Sequence, residues 1–164
     1  CGSEERGLIG SKAYVAAHKE EIDKIVLNVN LDMIGSVMGK FIACCTSEEK
    51  LVSYISYMSA QAGFSVSARQ DIYSSDSTPF ADAGVPAVSF ARLAGDRQAP
   101  IHLRYDTLKV LSAEQILADT AFIVSFVKSM ADAYVCPVER VMPDNMKEKM
   151  DVYLNRKRKR GAHH

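Results

Sequence analysis

The chain has 164 residues, enough for one domain with a core of its own. Its apolar fraction of 48% and charged fraction of 24% are ordinary for a globular protein, and 20 Lys plus Arg balance 20 Asp plus Glu. That balance gives no field to gather nucleic acid or anionic lipid, and no apolar run approaches the roughly 20 residues of a membrane-spanning helix.

The first eleven residues run Cys1-Gly2-Ser3-Glu4-Glu5-Arg6-Gly7-Leu8-Ile9-Gly10-Ser11. Two adjacent carboxylates repel, so a fold either solvates such a pair at a helix start or uses it. Ser11 is placed to cap a helix over 11–21, with His18 on its surface. The stretch 25–32 alternates strictly, Leu27, Val29 and Leu31 against Asn28, Asn30 and Asp32, which predicts a strand ending on Asp32. Open α/β sheets hold their ligands at such strand ends.

A second strand is expected at 41–45, followed by a helix over 47–62 whose apolar face carries Leu51, Ile55 and Met58. Residues 64–69 alternate as a third strand. Thr78 and Pro79 predict a short helix, with Thr78 as its cap, ending at Gly84. A fourth strand follows at 86–91, then a loop over 92–101. Ser112-Ala113-Glu114-Gln115 has the form of a capping box opening a long helix over 113–133, with Ile116, Thr120, Ile123, Val127 and Met130 at helical spacing. Strands alternating with helices predict an α/β domain over residues 1–135, a mixed sheet flanked by helices.

The four cysteines show no metal-binding spacing; adjacent Cys44 and Cys45 read as small buried hydrophobes, which leans weakly toward a reducing, cytoplasmic setting. Beyond Cys136 the composition changes. Met142, Met146, Met150 and Leu154 recur every fourth residue, predicting an amphipathic helical extension over 136–160. Its apolar face would pack on the body or meet a second copy of the chain. The basic run Arg156–Arg160 reads as a solvated helix end, and Gly161-Ala162-His163-His164 as a tag remnant rather than a metal site.

Four pieces now stand in order: Ser3-Glu4-Glu5-Arg6-Gly7, Asn30-Leu31-Asp32-Met33-Ile34-Gly35, Ser75-Asp76-Ser77-Thr78-Pro79-Phe80, and Ile101-His102-Leu103-Arg104-Tyr105-Asp106-Thr107. In this order and spacing the chain resembles the zinc-dependent aminopeptidases of peptidase family M28, from its first residue to about Met130. The resemblance implies a zinc-exopeptidase fold and hydrolysis of the N-terminal peptide bond of a peptide substrate. It implies Glu4 as the general base, Glu5 and His102 as ligands of one zinc, Asp32 as a ligand of a second, and Asp106 as a residue supporting His102. Ser75, Asp76 and Ser77 become candidates for substrate contact; many family members carry His where Ser77 stands.

The family's remaining ligands, a histidine and a bridging aspartate, lie before the Glu-Glu pair, where this chain has only Cys1, Gly2 and Ser3. The expectation is therefore a domain truncated at its N-terminal side, whose missing part is its natural partner. Such a fragment would hold no stable dinuclear site and show little or no activity. Two alternatives keep the scaffold: a single-zinc glutaminyl cyclase, and a non-catalytic interaction domain.

Overall fold

A computed structural model describes residues 1–93 and 101–157. Four strands form one mixed sheet: β1 (Asn28–Leu31), β2 (Lys40–Cys45), β3 (Ser67–Gln70) and β4 (Ala87–Leu93), in the order β1-β4-β2-β3. β1 runs parallel to β4 and β3 parallel to β2, while β2 and β4 pair antiparallel. Five helices flank the sheet: α1 (Ile9–Ala17), α2 (Glu49–Ala62), α3 (Ser77–Asp82), α4 (Ala113–Ala131) and α5 (Asp144–Tyr153). This is the α/β class that the alternation of patterns predicts. Among the described residues no helix is long and apolar enough to cross a membrane.

The central pair β2–β4 is buried on both sides, and strand alternation divides the core into two layers. Phe41, Ala43, Cys45, Val88 and Phe90 face α2 and α4, meeting Leu51, Ile55, Phe122 and Phe126. Phe90 stacks on Phe41 at 5.8 Å and meets Phe126 edge-on at 5.4 Å. Each such ring removed from water contributes about 1.5–3 kcal/mol. Ile42, Cys44 and Ala91 point to the other face, where Tyr73 packs on them. Cys44 and Cys45 are both free and buried, and they join different layers.

Several local expectations shift. Ser11 does not cap α1; it lies inside the helix, fully buried, its hydroxyl donating to the Leu8 carbonyl at 3.2 Å. Thr78 likewise lies inside α3, which begins at Ser77, and its hydroxyl donates to the Tyr73 carbonyl. β4 runs on to Leu93, so Arg92 is a strand residue rather than the start of a loop. The rest of that loop, 94–100, lies outside the described residues, as do the end of the basic run (158–160) and the tag-like residues 161–164.

The predicted Ser112 cap is present, accepting the Gln115 N–H at 3.2 Å. The face of α4, however, is rotated from expectation. Val127 is 41% exposed, and the buried stripe is Asp119, Phe122, Ile123 and Phe126. Asp119 is fully buried and fully engaged. The Arg92 guanidinium forks onto it, Nε to Oδ2 at 3.1 Å and Nη2 to Oδ1 at 2.5 Å. The Gly35 N–H donates to Oδ2 at 2.9 Å and the Gln115 amide to Oδ1 at 3.1 Å. Arg92 also lies over the Phe41 ring, 5.3 Å from its centroid.

This carboxylate ties α4 and β4 to the turn that follows Asp32. Two backbone bonds fasten the same turn: Ser112 N–H to the Gly35 carbonyl and Val37 N–H to the Val110 carbonyl, both at 2.9 Å. Gly35 has φ +79°, and a Cβ there would fall 2.1 Å from a side-chain carbon of Ile116. Two outcomes are expected in denaturant unfolding. Asp119→Ala, which leaves the largely buried Arg92 side chain without its partner, should cost about 3–5 kcal/mol. Gly35→Ala combines a left-handed backbone with a collision and should cost about 2–4 kcal/mol.

Candidate functional site

Glu4 and Glu5 form a single 3-10 turn, Glu4–Arg6, bounded by left-handed Ser3 (φ 59°) and Gly7. The chain before it lies directly on the start of α1: Gly10 N–H donates to the Gly2 carbonyl at 2.9 Å. A Cβ on Gly10 would come 2.4 Å from that oxygen, so the approach requires glycine. Asp32 follows β1, and its N–H extends the ladder to the Phe90 carbonyl at 3.0 Å. Met33, with φ 54°, then turns the chain away, and its carbonyl accepts the Arg92 N–H at 3.2 Å. His102, itself at φ 60°, brings Nε2 to 3.4 Å from Glu5 Oε2.

Five non-glycine residues among those described have positive φ, and four of them (Ser3, Leu8, Met33 and His102) border or belong to this group. Such backbone costs about 1–3 kcal/mol per residue and collects where geometry serves function. Asp76 completes the acidic cluster. It is 8% exposed, with Oδ2 at 2.8 Å from the Cys1 amino nitrogen and Oδ1 buried without a hydrogen-bond partner among the described residues.

Burial, then the charge of Glu5, then those of Asp32 and Asp76 raise the Glu4 carboxyl above its ordinary pKa, against the pull of His102. Burial, then Glu5, raise Asp32 as well, opposed by the Tyr73 hydroxyl lying against it. That hydroxyl also reaches Met33 Sδ at 3.6 Å. Burial and the neighbouring Asp32 in turn push the Tyr73 phenol well up. Tyr73 is a member of the site that sequence pattern does not single out, although it stands beside the Ser74-Ser75-Asp76 run.

Ser75 and Ser77, candidates for substrate contact, sit beneath the surface instead. They are 0% and 2% exposed and form a closed ring of hydroxyls with Ser89 of β4, at 2.7–2.9 Å. Their role in this geometry is to fasten the segment before α3 to the sheet. Asp106 is exposed; its N–H closes a turn onto the Leu103 carbonyl, and no hydrogen bond joins it to His102 among the described residues.

Carboxylate oxygens and an imidazole nitrogen are donors that suit zinc. Their arrangement does not complete a site: among the described residues no three His, Cys, Asp or Glu side chains are grouped to hold one ion. Glu5 and His102 adjoin each other, while Asp32 and Glu4 are close enough to repel but do not join them in such a group.

Because Glu4 and Asp32 have raised pKa values, the folded chain binds protons more tightly than the unfolded chain. Their contribution to stability is full below the unfolded pKa and is lost as pH rises through the folded pKa. Asp32→Asn should therefore gain stability over the parent at pH 7, and the gain should shrink toward pH 4, as read by urea midpoints. In the same variant the Glu4 carboxyl, followed by carbon-13 NMR, should titrate lower than in the parent.

No curated protein sequence matches the chain. Among solved structures, an aminopeptidase from Aneurinibacillus sp. strain AM-1 is 29% identical with a TM-score of 0.62, over 76% of this chain and 31% of its own. The zinc aminopeptidase BSAP from Bacillus subtilis shares the fold at 22% identity and a TM-score of 0.65, over 87% of this chain and 38% of its own. A glutaminyl cyclase from an Acidobacteriales bacterium shares it at 22% identity and 0.64, over 74% and 45%. The chain thus spans about a third of the length of these aminopeptidases. The profile described as Peptidase family M28 matches residues 1–127, and the chain belongs to that family.

Proposed function

We propose that this chain carries one part of the active site of a metal-dependent aminopeptidase, a hydrolase acting on the N-terminal peptide bond. One observation supports this reading above the others. Glu4, Glu5, Asp32 and His102 come from three separate pieces of chain and meet around one carboxyl, Glu4, whose proton is held more tightly than usual. A carboxyl that takes a proton from water and returns it to a leaving amine works best when its pKa is raised toward the working pH.

In this reading Glu4 moves the proton. Glu5 and His102 are donors to one zinc ion and Asp32 to a second. Zinc, when bound, would supply an acidified water and a polarised carbonyl. The remaining donors would come from polypeptide outside this chain, in keeping with the third of the relatives' length that it spans. Peptide is the substrate, and a second copy of the chain remains a candidate partner. The glutaminyl-cyclase structure that shares the fold keeps one other reaction in view.

The decisive assay uses the complete polypeptide containing this sequence. Release of an amino acid from an aminoacyl anilide, lost by at least ~1,000-fold in Glu4→Gln with zinc content unchanged, is the expected result. Cyclisation of an N-terminal glutaminyl peptide without anilide hydrolysis would replace the aminopeptidase with the cyclase. Turnover unaffected by Glu4→Gln would remove Glu4 from the chemistry. For the 164-residue chain alone, calorimetric titration with zinc should show no stoichiometric two-ion binding.

A further inference from the structure

The match to the family ends at residue 127, inside α4, and α5 lies beyond it. α5 is nevertheless bound closely to the body. Met146 and Met150 are 0% and 2% exposed, and Met150 packs on Ala81 of α3 and Ala87 of β4. Around this apolar seam the polar contacts of α5, and of Arg156 in the turn just after it, fall on one target. Lys149 Nζ donates to Asp71 Oδ1 at 3.2 Å, Tyr153 and Ser74 share a hydroxyl bond of 2.6 Å, and Arg156 forks onto Asp82 at 2.6 and 2.7 Å.

All three polar contacts grip the stretch between β3 and the end of α3. That stretch carries the groups nearest the acidic cluster: Tyr73 against Asp32 and Met33, the Ser75–Ser77–Ser89 ring, and Asp76. The grip falls immediately beside them. Ser74 sits between Tyr73 and Ser75, and Asp82 closes the helix that Ser77 opens. Ser74 is exposed, and its bond to Tyr153 ties the chain beside Tyr73 to the outer layer, adding to the inner contacts of Tyr73: its packing on Cys44 and Ala91 and the Ser75 and Thr78 hydroxyls on its carbonyl.

From this we infer that α5 is a positioning strap for the candidate site: Tyr153 and Arg156 fix the 71–82 segment and so set where Tyr73 and Asp76 meet Asp32 and Glu4. The inference rests on these acidic residues being the site, but its content is mechanical. An individual surface ion pair contributes little, whereas a bidentate fork, a hydroxyl bond and a buried methionine acting on one short segment act as a unit. The strap orders the segment without touching a substrate, so Tyr153 and Arg156 are positioning residues and not catalytic ones.

The test uses the intact 164-residue chain and needs no turnover, so it can succeed or fail whatever reaction the site performs. Tyr153→Phe, Arg156→Ala and the double variant are compared with the parent by amide hydrogen exchange and by the carbon-13 methyl signal of Met33, which lies beside the Tyr73 hydroxyl. The double variant should speed exchange at the amides of Asp71 and Thr78 by roughly tenfold or more, with Ile55 in α2 changing less than threefold. Its Met33 methyl signal should move while that of Met58, on the opposite face, stays in place. Arg156→Lys should recover part of the protection. Exchange rising equally at Ile55 would reduce α5 to a contributor to global stability and overturn the proposal. So would unchanged exchange at Asp71 and Thr78, or an unmoved Met33 signal.

Discussion

The fold depends most on the buried contact between Arg92 and Asp119. Removing two charges from water costs several kcal/mol each, and their attraction repays this only when every lone pair and N–H is used. Here each carboxylate oxygen accepts two hydrogen bonds, four in all, from Arg92, Gly35 and Gln115. What the pair adds is specification. A purely apolar stripe on α4 would allow the helix to slide by a turn against Phe41 and Phe90. A forked ion pair at one height on β4 forbids that slide, and the bond to Gly35 carries the same register to the turn after Asp32.

That register matters because the site is intrinsically unfavourable. Four carboxylates stand close enough to raise two of their number, and four residues around them hold left-handed backbone without being glycine. Neither feature would persist on a loose loop, where the chain would relax and the charges separate. Each is held at a point that the core cannot easily give up. Asp32 is fastened through the ladder to Phe90, Met33 through its carbonyl to Arg92, and the Glu-Glu turn through the contact of Gly2 on Gly10.

Much of this was legible in the sequence, for identifiable reasons. The strand before Asp32 is announced by its alternation, and Leu27 and Val29 of the apolar set pack on the core, while Leu31 at its end is exposed. The α2 and α4 helices declare themselves by length and by the cap at Ser112. The starts of α1 and α3 were not legible, because Ser11 and Thr78 are buried by tertiary contacts that a capping rule does not see. Asp119 was missed because an acid in a long helix is ordinarily on its wet side. Its spacing from Phe122, Ile123 and Phe126 places it in the apolar stripe, and that was the available signal. The expectation that Glu4, Glu5, Asp32 and His102 serve one site comes from motif resemblance; no periodicity contains it. Tyr73 lacked both kinds of signal.

The two adjacent glutamates show how local geometry sorts like residues into unlike roles. On an α-helix neighbours are turned by about 100°, and on a 3-10 turn, with three residues per turn, by about 120°. Consecutive acids on such a turn cannot share one environment. Glu5 stands exposed against His102, where an imidazole can offset its charge or share a ligand with it. Glu4 is turned inward, partly covered, with Asp32 and Asp76 beside it, and its burial is the largest cause of its raised pKa. The same residue type, one position apart, therefore becomes one group exposed beside an imidazole and one partly covered among acids, with its pKa raised. The backbone turn decides which acid is covered and which is not.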